Sequence, residues 1–229
     1  MTRKTDTGSQ GRSVKLLFVV ILTFCAQSVC AQSPMHITFD SDEVRGFPSG
    51  WVSEDQNNMT KVYSVQAEGE EKFLHADAKN LSVTIIHAIK WDIKDYPILR
   101  WRWRAVIFPT GSNEQIKSGD DNVLGLYVVF SGRPFVRATK YVWSDTLPAG
   151  MAFDSPYSSG TKIIVLRSGR ARADTWVSEE RNLLSDYEQS FGKGEKHAVA
   201  QAIAILTDSD NTHSRAVGDY ADISITPSK

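Results

Sequence analysis

Ten segments of this chain alternate apolar and polar residues or are dense in β-branched and aromatic residues, and one stretch alone has helical spacing. That proportion constrains the fold more than any other feature. A period-two segment buries one face and must close against a second layer. The segments run over 35–39, 61–67, 72–76, 81–91, 98–106, 123–130, 136–143, 162–167, 199–206 and 222–226. "GFPSGW" (46–51) reads as a turn, and "EGEE" between the second and third segments reads as the tip of a hairpin. Segment 81–91 sets Leu81, Val83, Ile85, His87, Ile89 and Trp91 on one face, whereas 123–130 is apolar on both faces, as a central strand is. The helical stretch begins at Ser178, an N-cap residue type, with Glu179 and Glu180 in the first turn, where negative charge suits the helix dipole. Leu184, Tyr187 and Phe191 then form a stripe, and Gly192 suits the C-cap. The expected fold is all-β: a two-sheet, jelly-roll-like β-sandwich with one short α-helix.

Residues 1–31 are expected to lie outside that fold. Arg3, Lys4, Arg12 and Lys15 precede the apolar run "LLFVVILTFCAQSV", which is shorter than the roughly 20 apolar residues of a membrane span. Val29-Cys30-Ala31 then places small residues three and one before a cleavage point. This is the layout of a secretory signal peptide, 1–31, followed by a single β-sandwich domain, 32–229. The mature protein is expected to be secreted or periplasmic and not membrane-spanning. Cys25 and Cys30 leave with the signal, so the mature chain has no disulfide, thiolate metal site or cysteine nucleophile.

The whole chain carries 26 basic and 27 acidic residues. Removal of the signal takes four basic residues and one acidic residue and leaves a net charge of -4. This balance gives no electrostatic case for nucleic-acid binding. The histidines, His36, His75, His87, His197 and His213, show no HxH or HExxH spacing, and there is no G-x-S-x-G elbow, P-loop or dinucleotide fingerprint.

"GFPSGW", "LRWRWR", "GDDN", "KYVWS", "WVSEERNLLSDYEQSFG" and "AILTDSDNTHSRAVGDYADISI" occur in that order over nearly all of the mature chain. In combination they resemble a bacterial exported family, the domain-of-unknown-function family 3047. The resemblance implies an envelope or secreted bacterial domain and brings no catalytic residues with it.

The candidate sites are therefore read from the residues. In "LRWRWRA", Leu99, Trp101, Trp103 and Ala105 share one face, and Arg100, Arg102 and Arg104 share the other. The arginine face either binds an acidic or polyhydroxylated ligand or pairs with carboxylates of the fold, for which Asp120, Asp121, Glu180 and Asp186 are the candidate partners. Asp120 and Trp143 join the arginines as candidate ligand contacts. Asp121 and Glu180 are the candidate catalytic carboxylates of a glycan hydrolase or lyase. The turn "TDSDNT" (207–212) offers Asp208, Asp210 and Asn211 as candidate Ca²⁺ ligands, although it lacks the glycine and terminal glutamate of an EF-hand loop. The expected function is binding of carbohydrate or another cell-surface polymer. The alternatives are a glycan hydrolase or lyase, and an assembly factor that binds an envelope protein at a sheet edge.

Overall fold

The coordinates are a computed structural model and describe residues 33–131, 136–193 and 199–228. Residues 1–31, where a signal peptide is expected, with Cys25 and Cys30, and His197 lie outside the described residues. In chain order the strands are β1 (Met35–Ile37), β2 (Trp51–Val52), β3 (Tyr63–Glu68), β4 (Glu71–Lys79), β5 (Ser82–Asp92), β6 (Ile98–Ile107), β7 (Leu124–Phe130), β8 (Arg137–Ser144), β9 (Ala152–Asp154), β10 (Thr161–Ser168), β11 (Val177–Asn182), β12 (Val199–Asp208) and β13 (Arg215–Thr226). Two helices accompany them, α1 (Met59–Val62) and α2 (Leu183–Phe191). The short turn α1 is an addition to the single helix expected from sequence. Among the described residues no helix is long and apolar enough to cross a membrane.

The strands form a two-sheet β-sandwich. The first sheet has the order β11-β6-β13-β4-β3, with β1 also paired to β13. The second has the order β2-β5-β12-β7-β8-β10-β9. Pairing is antiparallel except between β8 and β10, which run parallel. The β3–β4 hairpin turns at Gly69 with φ of 62°, the left-handed conformation that a two-residue hairpin loop demands.

Alternation in β6 sorts its side chains as expected: Leu99, Trp101, Trp103 and Ala105 are buried, and the arginines between them are half-buried. The two tryptophan rings meet edge to face at 5.3 Å, and Tyr141 and Trp143 of β8 reach them from the second sheet. At Gly218 of β13 the sheets approach closely, because a Cβ there would lie 2.5 Å from Leu124 Cδ2. Helix α2 closes one end of the core with Tyr187 against Phe130 at 4.8 Å. Val142 points away from its neighbours Tyr141 and Trp143. It joins Leu147, Ile163 and Val165 in a second, smaller core.

The helix start differs from the sequence expectation. Val177–Asn182 is a strand, paired residue for residue with Trp103–Ile98 of β6. The N-cap is Asn182, whose side chain accepts from the Ser185 N–H at 3.0 Å. Ser178 and the two glutamates mimic a capped first turn. The open edge of β6 recruits them instead, and a full ladder of interstrand bonds outweighs a local cap.

Candidate functional site

The arginine face of β6 is a neutralised ladder. Arg100 donates to Glu180 at 2.6 Å and to the Thr226 hydroxyl at 2.9 Å. Arg102 bonds Asp222 and reaches Glu71 at 3.2 Å. Arg104 donates to Asp219 and Glu68, each at 2.8 Å. Trp176 lies over Arg102 and Arg104 at 5.1 and 4.8 Å, and Phe73 covers Arg104 at 5.3 Å. Burial alone would lower the pKa values of Arg102 and Arg104, but their acidic partners raise them, and both stay charged. Strands β3, β4, β11 and β13 of the same sheet supply the partners. Of the four carboxylates expected to pair with this strand, Glu180 alone does so. Asp186 is a buried residue in the first turn of helix α2, where it accepts from Arg181 and from the Tyr141 hydroxyl.

Trp143 is a core residue, 1% exposed, whose indole N–H donates to the Gly169 carbonyl at 2.9 Å. It presents no ring face to a ligand. Glu180 stands on the first sheet, whereas Asp121 is held in the loop that enters β7 of the second sheet. The two carboxylates therefore do not form a pair.

A different cluster assembles on the outer face of the second sheet. β12 lies between β5 and β7, and β7 lies beside β8. This order brings Asp208, at the end of β12, next to the loop "GDDN" (119–122). Asp208 Oδ1 accepts from the Asn122 backbone N–H at 2.8 Å and from the Asn122 side-chain amide. Asp121 in turn caps the "TDSDNT" turn. Its Oδ1 accepts from the Asn211 backbone N–H at 3.1 Å and its Oδ2 from the Thr212 N–H and hydroxyl at 2.7 and 2.6 Å. The two acidic loops are thus stitched to each other. Gly125 permits this, because a Cβ there would overlap Asn122 Oδ1 and stand 3.0 Å from the Leu206 carbonyl.

Lys140 enters this cluster from β8. It sits opposite Tyr127 in the β7–β8 ladder, and its ammonium lies 5.4 Å from that ring. It is 3% exposed and stands 3.6 Å from Asp120 Oδ1. Together these residues line a pocket of about 360 Å³, walled by Ser82, Ser155, Ser158 and Thr161. Tyr157 forms the rim. Its ring is 57% exposed, and its hydroxyl lies 2.9 Å from the Lys117 carbonyl and 2.8 Å from Asn211 Oδ1.

The electrostatics follow from burial. Asp208 is pushed up to about 8, first by desolvation and then by the charges of Asp121 and Asp120, with Lys140 and the Asn122 N–H opposing. Asp120 is raised by burial against the pull of Lys140, and Asp210 by burial and the proximity of Asp121. Burial also opposes the charge of Lys140, but Tyr127, Asp208 and Asp120 outweigh it and hold the ammonium protonated. The carboxyl that gives way at neutral pH is therefore Asp208.

Asp121, Asp208 and Asp210 each bring a carboxylate oxygen within 4.8 Å of the others. Much of their capacity is already used by the loop donors. Asn211 turns its amide N–H₂ toward Asp121 and Asp210, at 3.2 and 3.3 Å, and its carbonyl oxygen toward Tyr157. Of the sequence candidates, the structure brings together Asp120, Asp121, Asp208, Asp210 and Asn211 and leaves the arginines, Glu180 and Trp143 elsewhere. Lys140, Tyr127, Tyr157 and Asn122 escape the candidate list, although "GDDN" and "KYVWS" both contain residues of the site.

Comparison with known proteins gives distant likenesses. A Caldicellulosiruptor saccharolyticus carbohydrate-binding module, CBM27-1, in complex with mannohexaose, is 12% identical with a TM-score of 0.43, covering 87% of this chain and 100% of that one. A family 11 carbohydrate-binding module of a cellulosomal cellulase of Clostridium thermocellum is 9% identical with a TM-score of 0.40, covering 86% and 97%. An endoglucanase from Rhodothermus marinus is 11% identical with a TM-score of 0.42, covering 86% and 100%. Likeness at this level says nothing about a ligand. No curated protein matches the chain. Residues 49–224 match the model of the family described as protein of unknown function, DUF3047, and the chain belongs to that family.

Proposed function

We propose that this protein is an exported domain that binds carbohydrate in the Lys140 pocket of its second sheet. The observation that carries the reading is the pocket lining: hydroxyls, carboxylates and one ammonium under an exposed tyrosine rim. Sugars present alternating donors, acceptors and apolar ring faces. A pocket of this size with few convergent polar groups and an aromatic edge matches that pattern. The clefts beside Arg100 and Arg102 are of similar size or larger, but the guanidinium groups that line them are already engaged by Glu180, Asp222 and Glu71.

The test is a glycan-array screen of the protein and of Tyr157→Ala. Binding that is lost in Tyr157→Ala supports the reading. An array without any ligand, or binding that survives Tyr157→Ala and disappears in Arg102→Ala, refutes it.

One observation favours catalysis as a second reading. Asp208 keeps a proton to about pH 8, and a carboxylate oxygen of Asp210 lies within 4.8 Å. Two neighbouring carboxyls, one of them held protonated by burial, resemble the acid and nucleophile of retaining glycosidases, for which the separation is about 5–5.5 Å. Reducing-sugar release from the polymers that bind, lost in Asp208→Asn, distinguishes an enzyme from a binding domain.

A further inference from the structure

The lining of the Lys140 pocket is short of positive charge. Asp120 and Asp210 face it beside the protonated Asp208, and Asp121 stands behind them, against the ammonium of Lys140, the one cation among the described residues that line it. Asp120 shows the deficit most directly. It is 6% exposed, it lines the pocket, and its Oδ1 accepts no hydrogen bond. The nearest cation, Lys140, stands 3.6 Å away, beyond hydrogen-bond reach. A buried carboxylate oxygen without a donor is costly and marks a place where something else donates.

We propose that the pocket receives the protonated amine of an amino-sugar residue, the ammonium donating to Asp120 while the ring hydroxyls meet the serines and the Tyr157 rim. This assignment deepens the carbohydrate reading and rests on it. An ammonium fits better than a metal ion, because Asp121 and Asp208 already accept several N–H donors and Asn211 offers nitrogen rather than oxygen. The site also accommodates an ammonium over an aromatic ring in Lys140 and Tyr127. An acidic sugar would add negative charge to a surplus of it, and an N-acetylated sugar would bring no cation.

The experiment is calorimetric titration with three tetramers: a glucosamine oligomer, its N-acetylated counterpart and a neutral cello-oligomer. The glucosamine tetramer is expected to bind about tenfold more tightly than the N-acetylated one, equivalent to about 1.4 kcal/mol. Asp120→Asn removes that preference. Should Asp120→Asn fail to fold, the half-exposed Asp210→Asn serves in its place and is expected to weaken the preference. Equal or tighter binding of the N-acetylated or neutral tetramer overturns the amine assignment and leaves carbohydrate binding intact. Absence of binding by all three overturns both. An equal loss in Asp222→Asn, on the other sheet, identifies nonspecific attraction of a polycation and also overturns the assignment.

Discussion

The Lys140 ammonium stands 3.6 Å from Asp120 Oδ1, and both side chains are almost fully buried. Among the described residues Lys140 is the one cation lining this pocket, so its removal leaves the buried Asp120 carboxylate unopposed. Lys140→Met keeps the length of the side chain and deletes the charge. We expect a loss of about 3–5 kcal/mol by urea unfolding at pH 7, the usual cost of orphaning a buried partner. The loss should shrink as pH is lowered toward 5, because burial raises the pKa of Asp120 and eases its protonation. An equal cost at both pH values would show that packing, not charge, is what Lys140 supplies.

The arginine ladder behaves differently because all of its carboxylates except Asp219 reach solvent. The side chains of Glu71 and Asp222, the partners of Arg102, are 68% and 57% exposed. Arg102→Ala should cost no more than about 1 kcal/mol. Arg104→Ala is expected to cost more, about 1–3 kcal/mol, because it strips a donor from Asp219, whose side chain is 2% exposed. His75, 2.7 Å from Asp219, softens that loss. Chemical denaturation of the two variants, run together, checks the order. A larger effect in Arg102→Ala would contradict it.

These contrasts explain what was legible in the amino-acid sequence. Strand existence follows from period two, and Leu99, Trp101 and Trp103 turn inward as their spacing demands. The start of α2 was illegible because Ser178-Glu179-Glu180 satisfies a local cap rule that a neighbouring strand overrides. "GDDN" and "TDSDNT" each stand out alone, but their union depends on β12 lying beside β7, a long-range pairing that no local pattern encodes. Lys140 was invisible for a further reason. A lysine in an alternating strand reads as a solvent-facing residue, and only the carboxylates gathered from two other loops make it a buried charge.

Asp208 also gives the fold an unusual pH slope. Its folded pKa is raised from 3.8 to about 8, so the folded state holds a proton that the unfolded chain releases. Its contribution to stability is complete below the unfolded pKa and is lost as pH rises through the folded value. Between pH 5 and 7.5, stability should therefore fall with rising pH, by at most about 1.4 kcal/mol per unit for this group. Asp120 and Asp210 are shifted in the same direction and reinforce the trend. Asp208→Asn, nearly isosteric and unable to titrate, should flatten the slope. Urea midpoints at the two pH values measure it, and a wild-type midpoint that rises with pH would show that Asp208 is ionised in the folded protein.

A Ca²⁺ ion takes about six to eight oxygen ligands. The loops bring three carboxylates within 4.8 Å, but Asp121 already accepts four N–H or O–H donors, Asp208 accepts two from Asn122, and Lys140 adds positive charge nearby. One Asp208 oxygen and the half-exposed Asp210 are left over, and even with Asp120 Oδ1 beside them they are too few for a shell without a ligand's own oxygens. Melting of the free protein in excess EDTA and in millimolar Ca²⁺ is therefore expected to coincide. An ion bound to the folded state alone would instead raise stability by about 2.7 kcal/mol at a hundredfold excess over Kd. A calcium-dependent rise of that size, abolished in Asp210→Ala, would establish the ion in the turn and would show that the loop donors give way to it.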